Sequence, residues 1–373
     1  MSTKKSLHVP LFIDLLGGLI HNRKKFWIGL GNLESEMMEK KLANVAVESP
    51  IFVSGLARSG STILLEILAK TPNMASHLNR DFPFVFTPFW TNQFLAKTSS
   101  DSKPVERAGA DRILTSPDSP IALEEVLWMA FFNELHNPNN SALLDATTSN
   151  PSFETFYRNH IRKLILVRGG KRYLSKANYN ITRLEYLLQL FPDARFIVPI
   201  RHPEPHIASL MKQHNLFNQG ENDNPRALRF MHRQGHFEYG LGRRPLNTGP
   251  DTAVEQVLTS WQRGEEVQGW AIYWNDIHRF IYQRLATNKA LQKATLVVRY
   301  EDLCSHTSTT LERIFAHSGI SDAEDVIAHY REKISLPSYY KANFSQEDKN
   351  IIHQYCNDTA QLFDYDDEDN AVK

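Results

Sequence analysis

One eight-residue stretch of this chain has the composition of an anion-binding loop. Between Gly55 and Thr62 the sequence reads G-L-A-R-S-G-S-T, directly after the apolar run Ile51–Val53 and before an apolar segment with helical spacing. Glycines allow backbone angles that turn successive N–H groups toward one point, and the N-terminus of a following helix adds its positive dipole end. An anion with several oxygens is the ligand that such a loop predicts.

The loop departs from the triphosphate-binding pattern G-x-x-x-x-G-K-[ST] at its defining position. Gly55, Gly60 and Thr62 match the pattern. Ser61, however, stands where the pattern has the lysine that contacts the β- and γ-phosphates. A basic residue, Arg58, lies three positions earlier. The chain is therefore expected to bind a nucleotide other than ATP.

A second pair of residues is expected to hold a phosphate group. Arg201 follows the apolar run at 196–200, and Ser209 lies early in the helix predicted to start near Pro203. Ligands of open α/β sheets collect at the carboxyl ends of the strands. A guanidinium from one side and a hydroxyl from the other would grip one phosphate there.

The elements that position these residues alternate between strand and helix. Short apolar runs at 51–53, 164–167, 196–200 and 295–298 are typical of buried parallel strands. Helical spacing lies between them, at 183–191 and over a long helix at 254–281, whose tryptophans are expected in the core. The pattern predicts an α/β fold with a doubly wound, mainly parallel sheet and a P-loop-like strand-loop-helix.

The predicted organisation has three parts. Residues 1–45 form an N-terminal helical extension, residues 46–345 the main domain, and residues 346–373 a C-terminal helix and acidic tail. A capping box at Ser345–Asp348 is expected to start that helix. The polar stretch at about 217–251 is predicted to be a long loop or lid. Contact with an acceptor is possible for histidines in or near it: His214, His232 and His236.

Composition bounds the class of protein and its compartment. Lys+Arg and Asp+Glu both number 42, so no overall basic field predicts nucleic-acid binding. Cys304 and Cys356 lie too far apart for a disulfide framework or a metal-site spacing, and they favour a reducing, cytoplasmic location. His202 and His206 are faintly like a zinc helix, but the prolines at 203 and 205 argue against a metal site.

The N-terminal apolar run resembles a signal peptide only superficially. Asp14 interrupts it, no small-residue cleavage site follows, and it is shorter than the ~20 residues that span a bilayer. A short helix packed on the core is the favoured interpretation. Basic residues at 23–25 followed by Phe26 and Trp27 leave open a peripheral membrane contact through residues 9–27.

Three segments together resemble the sulfotransferase family, which uses 3′-phosphoadenosine-5′-phosphosulfate (PAPS) as sulfuryl donor. The loop R-S-G-S-T at 58–62 resembles the family's P-[KR]-S-G-T-T phosphosulfate loop. Lys176-Ala-Asn178 and Arg201-x7-Ser209 resemble its later motifs, the second being its 3′-phosphate site. Order and approximate spacing agree from residue 51 to about 210, and V-V-R-Y-E-D-L at 297–303 is similar to a later strand end.

The resemblance implies a donor site and a reaction without a metal. The phosphosulfate would be held by Arg58, Ser59, Gly60, Ser61 and Thr62, and the 3′-phosphate by Arg201 and Ser209. Arg58 would steady charge on the bridging oxygen as sulfur leaves, and Lys176 would contact the sulfuryl group. The reaction implied is transfer to a hydroxyl or amine of a small-molecule, carbohydrate or lipid acceptor, releasing adenosine 3′,5′-bisphosphate.

The residue that removes the acceptor's proton departs from the family pattern. Cytosolic members carry a histidine base two residues after the motif lysine, where this chain has Asn178. Other branches take a carboxylate from the segment after the first loop helix, which here offers His77 and Asp81. Further candidates are Glu106, Glu124 and Glu125, in segments with a weaker similarity to bacterial relatives.

Two other classes of function stay open on the residues alone. A P-loop kinase or nucleotide hydrolase would need a lysine from elsewhere, Mg²⁺ and a Walker-B acid, for which no apolar strand ending in aspartate is evident. A catalytically silent nucleotide-binding or membrane-surface protein could have kept the fold and lost the base, as Asn178 allows.

Overall fold

The computed structural model describes residues 9–95, 105–106, 114–336 and 343–365. The helices are α1 (Leu11–Asn22), α2 (Lys24–Met37), α3 (Glu39–Leu42), α4 (Ser61–Ala69), α5 (Pro88–Leu95), α6 (Glu125–Phe131), α7 (Pro151–Arg168), α8 (Leu184–Leu190), α9 (Pro203–Asp223), α10 (Pro225–Gln234), α11 (Val254–Gln262), α12 (Glu266–Thr287), α13 (Lys289–Ala294), α14 (Tyr300–Ser305), α15 (Thr307–Ser318), α16 (Glu324–Arg331) and α17 (Gln346–Gln361). The strands are β1 (Ile51–Val53), β2 (Met74–Ala75), β3 (Val105–Glu106), β4 (Leu114–Thr115), β5 (Arg172–Lys176), β6 (Arg195–Ile200) and β7 (Thr295–Arg299).

The main sheet is parallel and has β1 at its centre. Its five strands follow the order β2-β5-β1-β6-β7, and β3 and β4 form a separate antiparallel pair. Val53 lies opposite Lys176 on one side and Ile197 on the other. Because β5 and β6 flank β1 on opposite sides, the carboxyl end of β1 lies at a topological switch point, where ligands of such sheets bind. The α/β prediction is confirmed.

Apolar side chains cover both faces of the central strand. Phe52 belongs to the larger core cluster, which includes residues of α7 and α12. Ile51 and Val53 point to the opposite face and pack in a second cluster with residues of α4 and α15. All three are fully buried. Burial on both faces explains why β1 reads as a continuous apolar run.

The prediction of a strand at 164–167 is wrong. These residues lie in the last turns of α7, whose buried positions Phe153, Phe156, Ile161 and Leu164 recur at helical spacing. A short apolar run cannot be assigned to strand or helix by periodicity alone. The strand of this region is β5, which starts after Gly169 ends the helix.

The long helix predicted over 254–281 is two helices. α11 ends at Gln262 and α12 begins at Glu266. Between them Gly264 has a φ of 78°, a left-handed conformation that interrupts a helix. The expected core positions of Trp270 and Trp274 are confirmed, since both are fully buried.

The prediction of a long loop at about 217–251 is wrong for the first half of that range. α9 continues to Asp223, and α10 follows from Pro225, with the side chain of Asn224 accepting a hydrogen bond from the backbone N–H of Arg226. Ala227 of α10 is buried. Residues 235–253 have no regular helix or strand.

Helices lie near the first and the last described residues. α1 rests on α10, where the carboxylate of Asp14 forms ion pairs with Arg229 and Arg233 at 2.6 and 2.7 Å. The predicted capping box of α17 is present between Ser345 and Asp348. Most of the predicted acidic tail lies outside the described residues. Within the described ranges, no helix is both long enough and apolar enough to cross a membrane.

Candidate active site

The loop between β1 and α4 adopts a left-handed backbone at two positions. Arg58 has a φ of 73° and Gly60 a φ of 98°. A Cβ atom at Gly60 would lie 2.6 Å from Cδ2 of Tyr300, so only glycine fits against that ring. α4 begins at the next residue, Ser61. Its N-terminus thus points its first backbone N–H groups and the positive end of the helix dipole at the loop.

The buried side chain of His206 supports the backbone of the loop. Nδ1 of His206 accepts a hydrogen bond from the indole N–H of Trp274 at 3.2 Å, and its Nε2 lies 2.8 Å from the carbonyl oxygen of Ala57. Nε2 therefore carries the proton and donates it to Ala57. Burial, together with nearby positive charge, holds the pKa of His206 well below its usual value, so the ring is neutral. This contact positions the loop.

Arg201 and Ser209 both contact Arg58. Nε of Arg58 donates to the hydroxyl of Ser209 at 3.3 Å, and Nη1 of Arg201 donates to the backbone oxygen of Arg58 at 3.3 Å. The guanidinium of Arg201 lies over the ring of Tyr300, 4.8 Å from its centre. Arg201 is buried and its Nε has no hydrogen-bond partner. Sequence reasoning missed Tyr300, which lies in the noted strand-end motif.

The hydroxyl groups of the loop are partly engaged within the protein. Ser59 is buried and donates to the carbonyl oxygen of Leu56 at 2.7 Å, so its side chain holds the turn together. Ser61 donates to Oδ1 of Asn178 at 3.4 Å. The donors that this loop presents to a ligand are therefore chiefly backbone N–H groups.

Asn178 links the loop to a carboxylate that sequence reasoning missed. Its Nδ2 donates to Oε1 of Glu238 at 2.6 Å, while Oε2 of Glu238 lies 3.4 Å from Nδ1 of His236. Burial acts to raise the pKa of Glu238, but His236, Lys176 and Asn178 outweigh it and lower the pKa to about 2. Glu238 is thus a carboxylate at neutral pH. A polar irregular segment after α10 was the only sequence signal for it.

The predicted base candidates His77 and Asp81 lie in a different network. Both carboxylate oxygens of Asp81 accept hydrogen bonds from Nη2 of Arg168 at 2.6 Å, and Oδ2 also accepts from the backbone N–H of Leu78. Nε2 of His77 lies 3.2 Å from Nε2 of His160. All of these side chains are buried or nearly so.

The further glutamate candidates are also bound to neighbouring side chains. Glu124 accepts from the hydroxyl of Tyr173 at 2.8 Å and from Asn180 at 3.3 Å. Glu125 pairs with Arg183 through two hydrogen bonds of 2.8 Å. The side chain of Glu106 lies outside the described residues. Among the described residues, no group of three or more histidine, cysteine or acidic side chains has the arrangement of a metal site.

Comparison with known proteins identifies the family. The model of the sulfotransferase family matches residues 50–236, half of the chain. The protein omega-hydroxy-beta-dihydromenaquinone-9 sulfotransferase Stf3 of Mycobacterium bovis is 22% identical over 361 residues, which cover 90% of this chain and 81% of the relative. The Mycobacterium tuberculosis protein of the same name matches equally.

The fold of a solved sulfotransferase is similar as well. The crystal structure of sulfotransferase STF9 from Mycobacterium avium covers 89% of this chain and 82% of its own, with a TM-score of 0.51 and 12% sequence identity. The family match spans the loop, Lys176, Arg201 and Ser209, the residues on which the resemblance was based. This chain therefore belongs to the sulfotransferase family and is an enzyme that transfers a sulfuryl group.

Proposed function

We propose that this enzyme takes its sulfuryl group from PAPS and transfers it to a hydroxyl group of a lipid. The observation that carries the donor half is the meeting of Arg58, Arg201 and Ser209 at the carboxyl end of the sheet. PAPS supplies a sulfuryl group on a leaving 5′-phosphate and, at its other end, a 3′-phosphate. Both ends would find positive charge and hydrogen-bond donors within one short stretch of protein surface.

The phosphosulfate end fits the loop and the N-terminus of α4. Gly60, Ser61 and Thr62 offer backbone N–H groups there, and Arg58 and Lys176 add positive charge. Fixed donors aimed at a developing negative charge contribute about 3–4 kcal/mol each to lowering a barrier. Arg58 would thereby stabilise the departing phosphate oxygen, and Lys176 the sulfuryl oxygens.

The 3′-phosphate fits Arg201 and Ser209. The buried Nε of Arg201, which has no hydrogen-bond partner in the protein, is a donor that a phosphate oxygen would satisfy. The hydroxyl of Ser209 accepts from Arg58, so its own proton can be donated to the same phosphate. The ring of Tyr300 holds the guanidinium of Arg201 in place.

Calorimetry of Arg201→Ala tests the donor assignment. The substitution should weaken binding of adenosine 3′,5′-bisphosphate about 10- to 100-fold, the loss expected for a hydrogen bond to a charged group, and leave adenosine 5′-phosphate unchanged. Arg195→Ala is the matched control, because Arg195 lies at the amino end of the same strand. Equal weakening of both nucleotides, or tighter binding of ATP with Mg²⁺ by the parent protein, would contradict the proposal.

The proposed lipid acceptor accords with the surface of α1. The relative Stf3 is named for a menaquinone derivative with a terminal hydroxyl, which is a membrane lipid. In this chain one face of α1 is apolar and each of its large side chains is more than half exposed: Leu11, Phe12, Leu15 and Leu19. Leucine and phenylalanine at this spacing form one stripe of a helix. Such a stripe suits a helix lying in the headgroup region of a bilayer.

Charge near the stripe favours an anionic bilayer surface. Arg23 and Lys25 are exposed at the junction of α1 and α2, beside exposed Phe26. Each basic residue near an anionic leaflet contributes about 1 kcal/mol to binding. The opposite face of α1 is occupied by the ion pairs of Asp14 with α10, so the helix presents its apolar side outward. Residues 9–27 would thus bring the enzyme to its acceptor.

Sedimentation with vesicles tests the membrane contact. The parent protein should bind phosphatidylglycerol vesicles better than phosphatidylcholine vesicles, and the double variant Leu15→Asp, Leu19→Asp should lose most of that binding. Leu362→Asp changes an exposed leucine elsewhere and is the matched control. Equal sedimentation of the parent and the double variant would contradict a lipid contact through α1.

A further inference from the structure

His236 and Glu238 lie within ion-pair distance of each other, without a hydrogen bond to Oε2 of Glu238. Nδ1 of His236 lies 3.4 Å from Oε2 of Glu238, and the side chains are 22% and 10% exposed. A carboxylate beside Nδ1 favours the tautomer that leaves the lone pair on Nε2, the atom that accepts a proton in hydrolase triads. The hydroxyl of Tyr179 accepts a hydrogen bond from the backbone N–H of Phe237, which fixes the chain between the two residues.

Asn178 connects this pair to the donor loop. It donates to Oε1 of Glu238 and accepts from the hydroxyl of Ser61, the first residue of α4. Position 178 is where cytosolic relatives carry their histidine base. Here the asparagine donates to a carboxylate, and that carboxylate lies 3.4 Å from His236, which follows Asn178 by 58 residues.

The groups around Glu238 favour its charged form. Lys176 on β5 attracts it. Burial raises the pKa values of Tyr179 and Tyr273, and the nearby charge of Glu238 adds to that effect. Both tyrosines are therefore neutral.

We propose that His236, oriented by Glu238, is the base that accepts the proton of the acceptor hydroxyl; this rests on the proposed function. As the hydroxyl oxygen bonds to sulfur, its proton passes to Nε2 of His236. The bond between sulfur and the bridging oxygen breaks, and its electron pair stays on the 5′-phosphate of adenosine 3′,5′-bisphosphate. His236 then releases its proton to solvent. Asn178 and Glu238 are positioning residues.

The predicted candidates His77 and Asp81 are less suited to this step. Arg168 binds both oxygens of Asp81, and burial is opposed by His77 and Arg168, which lower the pKa of Asp81 to about 2. His77 is 3% exposed and stacks on His160, with ring centres 5.0 Å apart. A base must reach its acceptor, and partly exposed His236 meets that condition better.

Nitrogen NMR of histidine-labelled protein tests the orientation without any acceptor. His236→Gln assigns the signal. At pH 8, with adenosine 3′,5′-bisphosphate present, His236 should show a protonated Nδ1 and an unprotonated Nε2. Glu238→Gln should abolish that preference, because a neutral amide no longer favours a proton on Nδ1. A proton on Nε2 in the parent protein would overturn the proposal.

Kinetics with a defined acceptor test the chemical role. The assay uses labelled PAPS and geranylgeraniol in phosphatidylglycerol vesicles. His236→Gln should lower kcat about 10²- to 10⁴-fold, the usual contribution of a general base, with unchanged affinity for adenosine 3′,5′-bisphosphate. In Glu238→Gln the acidic limb of the pH–kcat profile should move to lower pH, since a lost carboxylate disfavours the protonated ring. A purely structural role would not move that limb.

The outcomes separate this inference from the proposed function. His329→Gln, which removes an exposed histidine on α16, is the control and should keep the parent profile. Product formation by the parent with kcat unchanged in His236→Gln would overturn the inference and leave the proposed function intact. Failure of the parent to bind adenosine 3′,5′-bisphosphate would refute the proposed donor. If the parent binds adenosine 3′,5′-bisphosphate but forms no sulfated geranylgeraniol, geranylgeraniol is not its acceptor. The tautomer of His236 in the NMR experiment would then test the inference.

Discussion

Two histidine–carboxylate pairs of this protein have nearly the same local geometry. His77 and Asp81 are 3.5 Å apart, and His236 and Glu238 are 3.4 Å apart, in each case from Nδ1 to a carboxylate oxygen. The pKa of each carboxyl group is lowered to about 2, despite burial that acts to raise it. Each pair thus combines a histidine with a carboxylate of lowered pKa at nearly the same distance.

The third partner makes them different. Asp81 binds Arg168, a permanent cation, through both oxygens, and its histidine is buried at 3% exposure. Glu238 binds the neutral amide of Asn178, and its histidine is 22% exposed. The His77–Asp81 pair, here called the closed pair, is buried and bound to Arg168, an arrangement that suits stability. The His236–Glu238 pair, here called the open pair, has a partly exposed histidine, an arrangement that suits proton transfer. A histidine beside a carboxylate is thus not a catalytic site until its remaining contacts are known.

The largest effect that the comparison predicts is on stability. Asp81→Asn should lower the free energy of unfolding by about 3–5 kcal/mol, because it leaves the guanidinium of Arg168 buried without its counter-charge. Glu238→Gln should cost less, since glutamine can still accept the hydrogen bond of the neutral Asn178 amide. Urea unfolding at pH 7 measures both. A greater loss for Glu238→Gln would reverse the roles assigned to the two pairs.

Acid should remove the contribution of the closed pair, His77 and Asp81, to the free energy of unfolding. The pKa of Asp81 is about 2 in the folded protein and 3.8 in its ordinary state, so the stabilisation is present above about pH 4 and is lost as pH falls toward 2. The loss amounts to about 2 kcal/mol. Urea unfolding should therefore depend less on pH in Asp81→Asn than in the parent protein between pH 5 and 2.5. Parallel pH curves would contradict the linkage.

A base restored at position 178 should rescue part of the open pair's function. The double variant Asn178→His, His236→Gln places a histidine where cytosolic relatives carry their base, within reach of Glu238 as its new partner. We expect kcat about tenfold above that of His236→Gln alone, which corresponds to about 1.4 kcal/mol of barrier. The geranylgeraniol assay measures it. No gain would show that the acceptor hydroxyl lies out of reach of position 178.

The smallest expected effect concerns the link between the loop and the open pair. Ser61→Ala removes a hydrogen bond of 3.4 Å to Asn178 and should lower kcat about threefold, equivalent to about 0.6 kcal/mol. The backbone N–H of residue 61 stays in place, so affinity for adenosine 3′,5′-bisphosphate should change less than kcat. A change in affinity alone would assign Ser61 to the donor and not to the base.

Much of the fold was predictable where the signal is local. β1 and β6 stand out as apolar runs because strands buried on both faces carry no alternation. The run at 164–167 has the same composition but lies in α7, since short apolar segments pack equally well in either conformation. α10 was missed because its few apolar residues gain their burial from neighbouring helices.

Local sequence accounts for the backbone of the proposed donor loop. Eight consecutive residues set the backbone of the loop at 55–62, because glycines and a helix start act over neighbouring bonds. Only the tertiary structure decided which histidine and which carboxylate face the reaction. Ser61, Asn178 and Glu238 are hydrogen-bonded although more than 50 residues separate each from the next. Proton transfer depends on distances of a few ångströms, and packing of remote segments sets those distances.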